Sequence, residues 1–249
     1  ILSLNFTEPC YNYTMKPVKW SNTTAWKKNL LIIGKTWPKF GLNMEPITME
    51  ESKNDTNLLI SPSGDFAYAN VILPAFSEIG TAYENKRGVV SFDEDVIIPI
   101  LYGNVEKSVS LLSGKVISKR RIWMSQTPME CFTLRHSINS AKGKILIAGF
   151  GLGWLVNEIS KKDNVTHIDV VEFSQELMDW YYTQLKQNLN SRINNIIIED
   201  FYKFMEYVKT SDYDSILVDI WPNYSDSRND SRLLKLMVDG YPIEAWGIY

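Results

Sequence analysis

The chain reads as an α/β protein whose second half builds a mostly parallel sheet and whose first half is a β-rich N-terminal region. Two observations predict that class. After residue 140, four short apolar runs each end in glycine or an acid and alternate with stretches that read as helices, the pattern of strand, crossover helix and parallel strand. Before residue 120, the apolar runs are short, rich in branched residues and separated by Gly, Pro, Asn and Asp, which suits antiparallel strands and turns.

The first of the four runs, Lys144-Ile145-Leu146-Ile147-Ala148, opens directly into Gly149-Phe150-Gly151-Leu152-Gly153. An apolar run bounded by glycine reads as a buried strand, and alternating glycines allow a tight turn and close approach of backbone to a ligand. A helix expected over about residues 152–162 would aim free N-terminal N–H groups at whatever sits in the turn. Spacing narrows the ligand. The third glycine of the dinucleotide fingerprint falls on Trp154, which disfavours NAD and FAD, and no Gly-Lys-Ser or Gly-Lys-Thr follows to make a phosphate loop. The second run, Thr166-His167-Ile168-Asp169-Val170-Val171-Glu172, ends in an acid where a ribose-binding carboxylate is expected.

The third run, Ile196-Ile197-Ile198, ends in Glu199-Asp200-Phe201, and the fourth, Ser215-Ile216-Leu217-Val218, in Asp219-Ile220-Trp221-Pro222. In open α/β sheets the binding crevice lies beyond the carboxyl ends of the strands, so these tips are expected to share one nucleoside site. Each residue alone has a plainer explanation. Tight turns need glycine whatever they bind, Glu172 and Asp200 can cap helices, and Asp219 can be a solvated acid.

With those residues in view, the region from about 121 to 226 resembles class I S-adenosylmethionine-dependent methyltransferases, specifically the spermidine-synthase-like branch with its uncharacterised bacterial relatives. The resemblance implies a Rossmann-like core with S-adenosyl-L-methionine as cofactor. Gly149, Gly151 and Gly153 would cradle its methionine part, Glu172 would bind the ribose hydroxyls, and Asp200 with Phe201 would meet the adenine. Upstream, Trp123-Met124-Ser125-Gln126-Thr127-Pro128-Met129-Glu130 resembles the segment that precedes the core in those relatives. Thr127 as N-cap, Pro128 at the first helical position and Glu130 three residues after the cap predict a capping box and a helix ending near 142–143. The resemblance makes Glu130 an active-site glutamate and Asp219 the acid that positions or deprotonates an acceptor; the local reading of Glu130 is a cap alone. Trp221 is expected either as a wall of the Asp219 pocket or packed under the next loop.

Two positions depart from spermidine synthases: an acid of their glycine turn is Leu152 here, and a second acid, three residues after the catalytic aspartate, is Pro222. Both departures argue against aminopropyl transfer. The expected function is therefore S-adenosylmethionine binding by a methyltransferase with a small-molecule acceptor. The alternatives are a polyamine aminopropyltransferase and a nucleoside-binding protein without chemistry of its own.

Composition bounds these readings. With 249 residues and 45% hydrophobic content the chain can bury a full core. The net charge of −3 hides no basic half, so no nucleic-acid partner is expected. The longest apolar stretch, Val96 to Tyr102, is far shorter than the roughly 20 residues a bilayer span needs. No membrane partner and a cytoplasmic location are expected, and a homodimer is left open. Lys119-Arg120-Arg121 reads as a solvated strand end rather than a phosphate site. Cys10, Cys131, His136 and His167 lack metal-ligand spacing. The expected organisation is a β-rich extension over 1–120 and the cofactor-binding core over 121–249. Residues 50–57 are expected as an exposed loop and Ser231 to Val238 as a helix. Residues 241–249 leave room for at most one more strand, so the core reads as shortened or truncated at its C-terminal end.

Overall fold

The computed structural model describes residues 15–16, 30–33, 40–77, 79–83, 86–92, 94–109, 116–189, 192–221 and 224–246. The β-rich part holds β1 (Met15–Lys16), β2 (Leu30–Ile33), β3 (Ile47–Thr48), α1 (Met49–Lys53), β4 (Leu59–Ile60), β5 (Ala67–Leu73), β6 (Ile79–Tyr83), β7 (Lys86–Phe92), β8 (Val96–Val109) and β9 (Val116–Ser125). There follow α2 (Pro128–Ser140), β10 (Gly143–Ala148), α3 (Trp154–Ser160) and β11 (Val165–Glu172). Next, α4 (Gln175–Leu177) runs through a π-helical turn, Met178–Tyr182, into α5 (Thr183–Leu185). The remainder is β12 (Ile193–Ile198), α6 (Phe201–Met205), β13 (Ser215–Val218), α7 (Tyr224–Asn229), α8 (Ser231–Val238) and β14 (Ile243–Ala245).

The four expected strands pair in a five-stranded sheet of order β12-β11-β10-β13-β14, and every pairing is parallel. The fold is thus α/β and Rossmann-like by topology, with β14 as the fifth parallel strand of this sheet. Its central strand shows why the sequence folds this way. Ile145, Leu146, Ile147 and Ala148 are all at 0% exposure, as a parallel strand covered on both faces requires. Successive side chains point to opposite faces. Ile145 and Ile147 join Leu155, Ile159, Leu177 and Tyr181 on one side, whereas Leu146 and Ala148 join Phe201, Met205 and Leu233 on the other. Helices from α3 to α5 therefore cover one face, and α6 and α8 the other.

The β-rich part forms two further sheets, β1-β2-β7-β6 and β3-β5-β8-β9, with β4 beside β5. Within the second, β5, β8 and β9 are antiparallel. The two parts share a core, since the buried Tyr68 of β5 lies 5.3 Å, ring to ring, from Tyr181. Its hydroxyl donates to Asn70 Oδ1 at 2.6 Å and accepts from the Leu42 N–H at 3.0 Å.

Three local expectations need correcting. Residues 50–57 are not simply a loop, because α1 takes the first half of the segment. Thr48 caps it, its hydroxyl accepting from the Glu51 N–H while the Glu51 carboxylate accepts from the Thr48 N–H; this capping box sits in Thr48-Met49-Glu50-Glu51, where its polarity masked it. The helix after the glycine turn starts at Trp154 rather than 152, because Gly151 and Gly153 stay in the left-handed region. Arg120 does not point idly at solvent: it pairs with Asp55 at 3.3 Å and donates to the Gly64 carbonyl at 3.0 Å. Cys10 and Pro222 lie outside the described residues. Among the described residues no helix is long and apolar enough to cross a membrane.

Candidate active site

The strand order reverses direction between β10 and β13, the switch point at which open α/β sheets leave a crevice. Backbone bonds carry the ladder one residue past each strand: Gly149 N–H to the Val171 carbonyl at 2.9 Å, Glu199 N–H to Glu172 at 3.1 Å and Asp219 N–H to Ala148 at 3.0 Å. The tips are therefore level. Beyond them lies a cavity of about 380 Å³ lined by Gly149, Gly151, Glu172, Asp200, Phe201, Asp219 and, from α2, Glu130, within the usual volume of small-molecule sites. Seven of the eight expected site residues meet there. The exception is Gly153.

The glycine turn explains that exception. Gly149, Gly151 and Gly153 have φ of +90°, +52° and +79°, conformations that residues with a Cβ rarely adopt. A Cβ on Gly149 would fall 2.3 Å from the Asp219 carbonyl oxygen, so the turn and the tip of β13 touch backbone to backbone. A Cβ on Gly151 would fall 2.1 Å from Met124 Sδ. On Gly153 it would meet Phe150 at 2.7 Å and Leu185 at 3.0 Å. Gly153 is thus the N-cap of α3 packed into the aromatic core, not a wall of the cavity. The expectation of free N–H groups also fails in part. The Phe150 N–H donates to Glu172 Oε2 at 2.9 Å, the Gly153 N–H to the Phe150 carbonyl at 2.8 Å, and the Leu152 N–H to Met124 Sδ at 3.1 Å.

Glu172 and Asp200 hold local structure and face the cavity as well. Glu172 Oε1 accepts from the Ser174 N–H at 2.9 Å, so with the Phe150 bond its carboxylate ties the glycine turn to the start of α4. Each carboxylate oxygen has two acceptor sites, which leaves Glu172 capacity for a ligand donor. Asp200 is the N-cap of α6, its Oδ1 accepting from the N–H groups of Tyr202 at 2.9 Å and Lys203 at 3.1 Å. Phe201, the first residue of α6, is buried beside it and meets Tyr202 edge-on.

Glu130 and Asp219 are the chemically distinctive pair. The expected capping box is only half formed, because the Thr127 side chain makes no cap bond. Glu130 reaches back to the Thr127 backbone, the half that does form, and its carboxylate also takes the Ser125 N–H and hydroxyl at 3.0 and 2.8 Å. Both carboxyls keep a partial opening to the cavity while protein surrounds them otherwise. Burial pushes Asp219 from 3.8 up to about 7. Burial, aided by the charge of Asp219 and opposed by the Ser125 bonds, pushes Glu130 from 4.5 up to about 8. Carboxyls displaced to this range can exchange protons with a reactant near neutral pH.

The rest of the wall was not read from the sequence as site. Trp123 and Met124 arrive on β9, Trp246 just after β14, and Tyr202 and Arg232 on α6 and α8. Trp123 packs against Gly103, where a Cβ would come within 2.6 Å of the indole, and edge-on to Phe66. Trp246 Nε1 donates to Thr133 Oγ1 at 2.9 Å. Asp230, the N-cap of α8, accepts from Tyr202 Oη at 2.7 Å, Trp221 Nε1 at 3.2 Å and Arg232 at 3.3 Å. Burial works against the Asp230 charge, yet these donors hold its carboxyl down at about 2. Trp221 is thereby a wall of the cavity, as one of its two sequence readings held. Phe173 and Glu199 carried a signal, each adjoining a strand-tip acid already singled out.

No family model matches the chain. It is 28% identical over 120 residues to a proline–tRNA ligase of Streptococcus mutans, covering 47% of this chain and 19% of that protein. To a polyamine aminopropyltransferase of Sulfurisphaera tokodaii it is 27% identical over 117 residues, covering 45% and 38%. The chain thus spans well under half the length of these curated relatives. Two solved structures from Pyrococcus abyssi align over 87% of this chain at 12% identity. They are tRNA (uracil-54, C5)-methyltransferase in complex with S-adenosyl-L-homocysteine, with TM-score 0.35 and 45% of that chain covered, and Trm5b, with TM-score 0.33 and 55% covered. Likeness at that level carries no assignment, and the fold stands on its own topology.

Proposed function

We propose that the chain binds S-adenosyl-L-methionine at the switch point between β10 and β13 and acts as a methyltransferase on a small-molecule acceptor. One observation supports this above the others: a glycine turn, a ribose-type acid, an adenine-side pair and a buried aspartate, drawn from four successive strand tips, line a single cavity. On this reading residues 121–249 form the cofactor-binding core. The residues fit such a ligand, because Gly149 and Gly151 line the cavity with backbone alone and Glu172 keeps acceptor capacity. Glu172 accepts from ribose hydroxyls, and Asp200 with Phe201 borders the adenine. When bound, the cofactor supplies an electrophilic methyl group. Asp219 accepts the proton that the acceptor loses, and Glu130, held by Ser125, lines the same cavity.

Calorimetric titration with S-adenosylmethionine, S-adenosylhomocysteine and the decarboxylated cofactor tests the proposal. Binding of the first two is expected; binding of none overturns it. A second reading, polyamine aminopropyl transfer, draws on the partial likeness to the Sulfurisphaera tokodaii enzyme and on a lining where Glu130, Glu199 and Asp219 share space with three tryptophans, surroundings that favour a cation. Preference for the decarboxylated cofactor would select it. A screen of amines, carboxylates and thiols with homocysteine-product detection identifies the acceptor.

A further inference from the structure

The glycine turn is met by a side chain from outside the parallel sheet. Met124, near the end of β9, lies over Gly151, and its thioether sulfur accepts the Leu152 N–H at 3.1 Å. Met124 and Gly151 both line the cavity. The acceptors of the turn differ in strength. The Phe150 N–H is held by the Glu172 carboxylate and the Gly153 N–H by a carbonyl, whereas the Leu152 N–H has only a thioether, a weak acceptor on a flexible stem. Of these three amides, Leu152 is therefore the one that an incoming carboxylate can win. To reach it, the carboxylate must move the methionine.

We propose that Met124 is a specificity-determining residue of the cofactor site: its thioether stands in for the amino-acid tail of the ligand at the glycine turn, so that a tail-bearing ligand must displace it. The inference rests on the adenosyl-binding reading above. A ligand that ends at a methylthio group leaves Met124 where it is, whereas one carrying an amino-acid tail gains the Leu152 N–H only after losing the thioether contact. The discrimination lies in the ratio of the two affinities, not in either one.

The experiment titrates wild type and Met124→Ala with 5′-methylthioadenosine and with S-adenosylhomocysteine. The variant is expected to raise the affinity ratio in favour of the tail-bearing ligand by about fivefold, about 1 kcal/mol at 1.4 kcal/mol per tenfold. Met124→Leu, which keeps the bulk but removes the sulfur acceptor, is expected to raise the ratio by about twofold and serves where the alanine variant fails to fold. An unchanged or lowered ratio in the folded variants overturns the inference while leaving adenosyl binding intact. Failure of both ligands to bind the wild type and both variants overturns the adenosyl-binding reading and this inference with it.

Discussion

Replacing Asp219 with asparagine removes the ionisable group that the site most disfavours while keeping its shape. An ordinary aspartate ionises near 3.8, and burial holds this one to about 7. Across that window the unfolded chain has released the proton and the folded chain retains it, so wild-type stability falls as pH rises and levels off above about 7. A gap of about three pH units at 1.36 kcal/mol each is about 4 kcal/mol. The cavity opening admits water, so about half of that, about 2 kcal/mol, is the expected loss. The asparagine has no proton to release. Near pH 3.5, below the ordinary aspartate value, variant and wild type should therefore melt together, and near pH 8.5 the variant should melt about 4–8 °C higher for a chain of this size. Glu130 contributes a slope of the same sign in both proteins, shallower in the variant because the charge of Asp219 no longer opposes its ionisation. Thermal melts of both proteins at the two pH values provide the test. A melting difference that does not change with pH would refute burial as the cause.

Gly149→Ala places a Cβ 2.3 Å from the Asp219 carbonyl at a φ of +90°, so it should cost about 3 kcal/mol or more, against about 1 kcal/mol for Gly240→Ala, which has φ +91° and nothing within 4 Å; equal urea midpoints would contradict the backbone contact. Glu172→Ala removes two charge-assisted bonds to backbone N–H groups and should destabilise by about 2 kcal/mol or more even without ligand, which chemical denaturation reads directly. Asp230→Asn should blunt acid destabilisation, since a carboxyl depressed to about 2 stabilises the fold above 3.8 and loses that contribution as pH falls toward 2; identical acid melts would count against the Tyr202–Trp221–Arg232 anchor. Trp246→Phe should cost about 1 kcal/mol through the lost Thr133 bond, measured as a shift in urea midpoint.

The sheet was legible because β10 and its neighbours are buried on both faces, so their sequences are continuous apolar runs with abrupt polar ends, and those ends are where a switch-point cavity must form. Glu172, Asp200 and Asp219 could be read for that reason alone. Gly153 could not, since spacing does not distinguish a glycine open to a ligand from one pressed against Phe150 and Leu185. Nor could Met124, Arg232 and Trp246, which reach the cavity from a strand of the other sheet, a distant helix and the residue after the last strand. Glu130 is legible as an active-site glutamate through the resemblance and locally as a cap partner, whereas the Ser125 donors on its carboxylate become visible only once β9 is seen to turn directly into α2.

β9 is paired with β8 through residues 121–125, on the far side of the compositional break at residue 120. A recombinant fragment begun at that break would lose β8 and bare Arg121 to Ser125 as a lone edge, the sort of exposed rim that invites association between copies. It would also set adrift Trp123, Met124 and the Ser125 donors on Glu130. Anyone trimming this protein for biophysical work should keep the β8–β9 hairpin with the parallel-sheet half.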